Sequence, residues 1–333
     1  MAIMQLSNQQ TRRGFLKDSL AAAAAMSVMS MNELKAAEKT AKPRWIIACR
    51  DAHLPETGEP GAWSAMKVMK VEGVEVSVDL AGKCGHLHGR EKPYSIAKPD
   101  DLKVLADDLK KHGLKISAFC LHNHFDENLE GELACVKMTV RAARELGVPA
   151  VRLDIVPRKI KDEKEFLEFA IKTGKQVVEV SKDTDVRFGV ENHGGTTNKP
   201  EFLKAMFEGV GTKRFGLTLD TANFYWFGHP LAKLYGYWEE LAPYICHTHC
   251  KSVNYPESER EKQRKMGWEY GKYCCPVYEG DIDFKKLAAI LRKADYKGDL
   301  CIENESLGRF PKEQRREILI KEAAFLRKIA EGA

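Results

Sequence analysis

Short β-branched runs alternate with helix-period segments along most of this 333-residue chain, and this alternation constrains the fold more than any other feature. Strands separated by helices of such length predict parallel βαβ units, and eight of these units close naturally into a (β/α)₈ barrel. A doubly wound open sheet is the alternative, but no GxGxxG motif follows the first predicted strand. The eight predicted strands are 45–49, 73–80, 115–121, 150–156, 185–191, 214–220, 244–249 and 299–303.

The segments between these strands have helical periodicity and recognisable ends. Gly113 and Gly147 each close a predicted helix, because glycine readily takes the left-handed conformation that ends a helix. The long polar and aromatic stretch 254–280 is predicted to be a loop over the barrel mouth, without an element of its own. The predicted helices are 99–112, 132–146, 163–182, 199–207, 283–294 and 310–330. We therefore predict one α/β domain, a TIM barrel over residues 41–333.

Residues 1–40 have a different pattern from the rest of the chain. The stretch TRRGFLK at 11–17 leads into an apolar run at 20–31 that is too short to span a bilayer. Paired arginines before such a run predict a cleavable twin-arginine signal peptide, with an amphipathic helix as the alternative. We therefore exclude 1–40, signal peptide and linker, from the fold. We expect a periplasmic or secreted protein that uses the twin-arginine export machinery.

Charge and cysteine usage limit the partners. The formal net charge of +5 is small, and Lys and Arg alternate with Asp and Glu, so no basic stripe for nucleic acid exists. We predict a small-molecule partner and leave a homo-oligomer open. Cys274 and Cys275 lie in a polar stretch where a disulfide is an alternative to free thiols. Four other cysteines lie in apolar runs and are predicted core residues: Cys49, Cys120, Cys246 and Cys301.

Four strand ends carry residues that can bind a metal ion. Glu191, Asp220 and His249 are spaced 29 residues apart, one βα unit each, and Glu303 ends the last predicted strand. In a barrel, the carboxyl ends of the strands meet at one face. A buried carboxylate is costly unless a cation meets it. Oxygen-rich ligation with one imidazole suits Mn²⁺, Mg²⁺ or Co²⁺, with Zn²⁺ as an alternative. A solvated or ion-paired strand end is the alternative for any one of them.

The motifs around these residues resemble the xylose isomerase-like TIM barrel family, which contains sugar isomerases and ketose 3-epimerases. The resemblance covers about residues 44–330. It rests on VENHG at 190–194, LDTAN at 219–223, HTHCKS at 247–252, GDIDF at 280–284 and IENE at 302–305. It implies a xylose isomerase-like barrel in which Glu191, Asp220, His249 and Glu303 bind the metal. It also implies that Glu191 and Glu303 act as acid and base.

The chain also departs from the patterns of that family. Ketose epimerases place a substrate-binding His where this chain has Asn223, and an Arg where it has Tyr255. The related endonucleases need a His at position 223 and an Asp-x-His pair after the seventh strand, yet no His lies between Ser252 and Gly280. The resemblance therefore leaves the single-metal core intact, argues against a three-metal phosphodiesterase, and does not name the sugar.

Several other polar or aromatic residues are candidates for binding a substrate. His193 and Lys251 each lie two residues beyond a predicted metal ligand, and His247 lies two residues before one. The full set of candidates is His193, Asn223, His247, Lys251, His122, His124 and Trp268. For His122 and His124 a solvated loop start is the alternative, and for Trp268 packing within its loop.

The predicted chemistry is a divalent-metal-dependent sugar isomerase or epimerase that acts on a ketose or keto-sugar through an enediolate. A metal chelated by a carbonyl and the adjacent hydroxyl acidifies the C–H between them, and two glutamates can move that proton. The same intermediate can instead expel a leaving group, so a 3-keto-glycoside lyase is the runner-up. A metal-dependent hydrolase and an exported sugar-binding protein are the alternatives of other classes.

Overall fold

Eight parallel strands close into a barrel in the computed structural model, which describes residues 45–332. Around the barrel the strands follow the order β1, β12, β9, β8, β7, β6, β5 and β2, which returns to β1. They are β1 (Ile46–Arg50), β2 (Gly73–Ser77), β5 (Lys115–Cys120), β6 (Ala150–Leu153), β7 (Arg187–Glu191), β8 (Phe215–Asp220), β9 (Ile245–Cys250) and β12 (Asp299–Ile302). Each overlaps one predicted strand, so the barrel prediction is confirmed.

Four shorter strands form two antiparallel pairs outside the barrel: β3 (Lys83–Cys84) with β4 (Tyr94–Ser95), and β10 (Ser252–Val253) with β11 (Cys274–Cys275). The prediction that the stretch 254–280 has no element of its own is therefore wrong. This stretch contains two one-turn helices, Glu257–Arg260 and Tyr270–Tyr273, as well as β11. These elements are too short to leave a periodic pattern in the sequence.

The helices cover the outside of the barrel. All six predicted helices are present, and Gly113 and Gly147 end theirs with φ of 66° and 68°. The helices Ala62–Met69 and Leu231–Leu241 are present in addition to the predicted ones. The remaining helices are Pro99–His112, Leu129–Leu146, Glu163–Glu179, Pro200–Val210, Asn223–Phe227, Phe284–Lys293 and Lys312–Glu331. No helix within 45–332 is long and apolar enough to cross a membrane. The predicted signal peptide lies outside the described residues.

Every residue of β2, β8 and β9 is buried, because one face of each strand packs on helices and the other fills the barrel. The four cysteines predicted for the core are buried, and all nine cysteines are free thiols. Polar side chains that point into such an interior must find partners there. Glu75 in β2, His247 in β9 and Asp299 in β12 do so directly beneath the barrel mouth.

Glu322 gives the fold a testable pH dependence. This glutamate of the last helix is fully buried, and its Oε1 accepts a hydrogen bond of 2.9 Å from the Val277 amide. Burial raises its pKa from 4.5 to about 7, although that hydrogen bond lowers it. Since the folded-state pKa exceeds the unfolded value, the contribution of this group to stability is complete below pH 4.5 and is lost as the pH rises through 7.

A Glu322→Gln variant keeps the acceptor oxygen and cannot ionise. We expect it to be more stable than the wild type at pH 8 by roughly 3 kcal/mol, and to lose most of that advantage at pH 5. Urea unfolding at the two pH values measures the difference. An equal effect of the substitution at both pH values would show that the ionisation of Glu322 is not its cause.

Candidate metal centre

The barrel fold brings the four predicted metal ligands together. Glu191 ends β7, Asp220 ends β8, His249 lies in β9 and Glu303 directly follows β12. In the strand register Asp220 pairs directly with His249, whereas Glu191 pairs with Thr218, two residues before Asp220. All four are buried, and one ligand atom from each lies within 4.8 Å of the others. We call these four residues the metal cluster.

Three buried atoms of the metal cluster make no hydrogen bond: Asp220 Oδ2, His249 Nδ1 and Glu303 Oε2. Lys251 Nζ lies 2.9 Å from the first and 3.2 Å from the last as an ion-pair partner that both share. His249 Nδ1 lies 3.5 Å from Glu191 Oε2 and 3.4 Å from Glu303 Oε2, so these atoms face one another. Buried polar atoms rarely lack a hydrogen bond. Two carboxylate oxygens and one imidazole nitrogen turned toward one point are the donor set of a divalent cation, so the residues fit a metal ion.

The charges around the metal cluster are unevenly balanced. Burial tends to raise the pKa of Glu191, but the Arg152 guanidinium and His249 lower it to about 2. Burial also tends to raise the pKa of Glu303, but this pKa is held well below its usual range by the positive charges of Lys251, His249 and Arg50. Both glutamates are therefore ionised at neutral pH.

Asp220 differs from the two glutamates. Burial raises its pKa well above the usual range, and Lys251 Nζ, 2.9 Å from its Oδ2, lowers it too little to compensate. Its Oδ1 is already used by the backbone amides of Ala222 and Asn223. This carboxylate thus lacks the positive charge that a divalent ion would bring.

A chain of hydrogen bonds orients His249 from below. Its Nε2 lies 2.9 Å from Glu75 Oε1, and the same oxygen lies 3.0 Å from His247 Nε2. His247 Nδ1 in turn lies 2.8 Å from Asp299 Oδ1, and Arg50 Nε lies 2.9 Å from Glu75 Oε2. Because Glu75 carries no proton, its oxygen accepts from His249 Nε2–H. Without a metal ion, Glu75 and the two glutamates of the metal cluster raise the pKa of His249 well above its usual range against burial. With a metal ion bound, Nδ1 would lose its proton and turn its lone pair toward the metal cluster.

Replacing Glu75 with Gln is expected to weaken the binding of Mn²⁺ roughly 10- to 100-fold, the usual effect of changing a partner of a metal-binding histidine. The amide cannot serve two histidines and Arg50 without placing a donor against a donor. Calorimetric titration of metal-free protein with Mn²⁺ measures this loss. Glu240→Gln is the matched control, since Glu240 pairs with Lys204 at 2.7 Å on the outside of the barrel. Equal Mn²⁺ affinity in both variants would contradict the role of Glu75.

Two further groups of potential ligands occur among residues 45–332: Glu75 with His247 and Cys301, and Asp154 with Glu191 and His193. In the first group, both ring nitrogens of His247 and both oxygens of Glu75 already have partners. In the second group, the Arg152 guanidinium lies 2.8 Å from Asp154 Oδ2 and contacts Glu191. Asp154 Oδ1 in turn lies 2.9 Å from His193 Nδ1, so both oxygens of this carboxylate already have partners. The metal cluster is therefore the better candidate.

A cavity of about 420 Å³ opens above the metal cluster, and we call it the metal cavity. Four of the predicted substrate-binding residues line it: His122, His193, Asn223 and Lys251. Asn223 Nδ2 donates to Glu191 Oε1 at 3.1 Å, so it also orients a member of the metal cluster. Lys251 is 4% exposed and lies 3.2 Å from Glu303 Oε2, which makes it a buried cation and not a solvated strand-end lysine.

Three predicted substrate-binding residues lie elsewhere, contrary to expectation. His247 is buried beneath the metal cluster between two carboxylates and does not line the metal cavity. His124 pairs with Glu127 at 3.0 Å on the loop after β5. Trp268 packs against Tyr255 and Tyr273 inside its own loop. The position of each residue in the sequence does not set the direction of its side chain, which depends on packing.

Several residues of the site were missed or underrated from sequence. Arg50 lines the metal cavity and ion-pairs with Glu75 and Glu303. Arg50 could have been predicted from the sequence, because it directly follows the first predicted strand and the active sites of such barrels lie at the strand ends. Arg152, in β6, contacts Glu191 and lines the same cavity. Trp226 and Tyr270 supply its aromatic walls.

Comparison with known proteins assigns the fold to a family. The family model described as xylose isomerase-like TIM barrel matches residues 66–329. Among curated proteins, none matches this sequence. A xylose isomerase domain protein from Planctomyces limnophilus superposes with a TM-score of 0.61 at 17% identity, covering 86% of this chain and 98% of that one.

Two further solved structures are similar. A xylose isomerase-like TIM barrel protein from Mycobacterium smegmatis in complex with magnesium has a TM-score of 0.60 at 14% identity, with 86% of this chain and 96% of that chain covered. D-allulose 3-epimerase from Methylomonas sp. in complex with D-allulose has a TM-score of 0.59 at 12% identity, with 86% and 97% covered. At such identities these likenesses establish the shared fold.

Proposed function

We propose, since the chain belongs to the xylose isomerase-like TIM barrel family, that it is a divalent-metal-dependent isomerase or epimerase of a ketose or keto-sugar. The observation that carries this proposal is that Glu191 and Glu303 come from strands separated by β8 and β9 and lie 3.5 and 3.4 Å from His249 Nδ1. Two buried, ionised carboxylates from different parts of the barrel can thus approach one substrate carbon. Similar structures include an epimerase bound to its sugar, which supports the substrate class.

Glu191, Asp220, His249 and Glu303 would hold the metal ion. Once bound, such an ion polarises the carbonyl of a sugar and makes the adjacent C–H more acidic. Mn²⁺, Mg²⁺ and Co²⁺ suit three carboxylates and one imidazole, and Zn²⁺ remains an alternative. Similar structures contain zinc or magnesium, in agreement with a divalent ion.

The side chains supply the proton transfers. One glutamate removes the proton beside the sugar carbonyl. The other takes up a proton from water in the metal cavity and delivers it to the opposite face, which inverts that carbon, and the first glutamate then gives its proton back to water. Arg152 and Arg50 keep Glu191 and Glu303 ionised, so that one of them can act as a base. Asp220 and Glu303 raise the pKa of Lys251 well above its usual range although burial lowers it, so Lys251 stays charged. Its ammonium group stabilises negative charge on the enediolate oxygen.

His193 and the aromatic residues position the sugar. The His193 ring is half exposed, and Asp154 holds its Nδ1 at 2.9 Å, which leaves Nε2 facing the metal cavity. Trp226 and Tyr270 can cover the apolar face of a sugar ring and keep water from the intermediate. The twin-arginine motif at 11–17 supports export to the periplasm or beyond as part of this proposal.

Proton NMR in D₂O tests the reaction. The mature chain, loaded with Mg²⁺, is incubated with free ketoses and with 3-keto-glucosides. Deuterium should enter beside the carbonyl. Formation of an epimer, an isomer or a released aglycone then identifies the protein as an epimerase, an isomerase or a lyase. Absence of exchange with every compound, in protein shown to hold its metal, would favour the hydrolase or the sugar-binding protein.

A further inference from the structure

A second cavity adjoins the metal cavity at the barrel mouth. It has a volume of about 600 Å³ and lies between the segment after β2 and the segment after β5. We call it the outer cavity. Binding sites for small ligands usually measure about 300–1,000 Å³, so each of the two cavities is large enough for a ring-sized group. Residues 78–86, which form one wall, have no role in the metal cluster.

His122 forms the wall between the two cavities, since it lines both of them. Its Nδ1 lies 3.5 Å from Asp154 Oδ2, and its Nε2 lies 3.4 Å from Arg50 Nη2. These contacts fix one edge of the ring in the metal cavity. The His122 side chain is nevertheless 54% exposed, so it leaves room for a ligand to pass from one cavity to the other.

The outer cavity combines an apolar face with hydrogen-bonding groups. Leu80 is 57% exposed, and among residues 45–332 only two other large apolar side chains are exposed, Val104 and Met266. Asn123 is 1% exposed and donates from Nδ2 to Glu132 at 2.7 Å, yet its buried Oδ1 has no hydrogen-bond partner. Lys83 and His86 are exposed on the opposite wall. An apolar platform, an acceptor without a partner and nearby donors together match a sugar ring or an aryl aglycone.

We propose that the outer cavity binds the glycosidic substituent of the substrate, so that the enzyme acts on a keto-sugar that carries a second sugar or an aglycone. The keto-sugar ring lies in the metal cavity and the substituent passes His122 into the outer cavity. This inference rests on the proposed function for the placement of the keto-sugar. It assigns the substrate class as keto-glycosides in preference to free ketoses.

Matched ligand pairs test the inference by calorimetric titration of the Mg²⁺-loaded protein. One pair is methyl and phenyl 3-keto-β-glucoside, and the other is D-fructose and its galactosyl derivative lactulose. We expect the larger member of at least one pair to bind about tenfold tighter or more. Leu80→Asp and Asn123→Ala should remove this preference and leave the affinity for the smaller member unchanged. Val104→Asp is the control, because Val104 is also an exposed apolar residue and does not line either cavity.

Equal affinity for both members of both pairs would overturn the inference, and so would a preference that survives in both variants. Leu80 is exposed, so its substitution tests the cavity even if Asn123→Ala fails to fold. The deuterium exchange assay separates this result from the proposed function. Exchange without a size preference would support the proposed function and contradict the role of the outer cavity. A size preference without exchange would support binding in the outer cavity and contradict the proposed reaction.

Discussion

The Glu303→Gln variant is expected to turn over about 10³-fold more slowly than the wild type in saturating Mg²⁺, which is within the range for removing a general acid or base. Glu303 Oε2 lies without a hydrogen bond 3.4 Å from His249 Nδ1, and 3.2 Å from Lys251 Nζ. The amide neither carries the charge that faces these groups nor accepts a proton from carbon. The rate of deuterium incorporation beside the carbonyl measures the loss, and calorimetry shows whether sugar still binds.

Glu240→Gln is the matched control for this substitution, since it also removes a glutamate charge that faces a lysine. It should turn over at the wild-type rate. Exchange at the wild-type rate in Glu303→Gln would show that Glu303 is neither acid nor base. Loss of sugar binding together with turnover would indicate instead that the substitution disrupts the metal cavity.

Removal of the divalent ion with EDTA is expected to abolish turnover and lower the thermal midpoint by roughly 5–10 °C relative to protein at 100 times the metal Kd. The loss of stability follows from Asp220, whose buried carboxylate lacks a full counter-charge without the ion. Differential scanning calorimetry with and without Mg²⁺, together with the exchange assay, measures both effects. Adding back Mn²⁺, Mg²⁺ or Co²⁺ in turn should restore them and rank the metals.

An Asp220→Asn variant separates the metal centre from nonspecific effects of chelation. It should show no rise in thermal midpoint with Mg²⁺, because the amide supplies neither charge nor a strong ligand. Turnover that persists unchanged in metal-free wild-type protein would contradict a metal-dependent reaction.

The barrel was predictable because its pattern is local and repeated. A strand such as 73–80 is indicated by its three alternating valines, which are β-branched, and a helix such as 99–112 by its periodicity and its closing Gly113. Shorter elements escaped prediction. The one-turn helix Tyr270–Tyr273 and the two-residue strand Cys274–Cys275 depend on contacts across the barrel mouth. No window of sequence contains those contacts.

The metal cluster could be proposed from strand ends, whereas its surroundings could not. Asp220 and His249 follow from the 29-residue spacing and their strand register. Glu75 lies within the strand 73–77 and contacts His249 through the barrel interior, although β1 and β12 separate β2 from β9 in the closed sheet. Such a contact joins residues 174 positions apart. Its residue types leave no local signal, so only the closed barrel shows it.

Anomalous diffraction from crystals of the Mn²⁺-reconstituted protein tests the account most directly. The account predicts one manganese peak, enclosed by Glu191, Asp220, His249 and Glu303. A peak at Asp154 and His193 instead, or no peak at any of these residues in protein soaked with excess Mn²⁺, would contradict it.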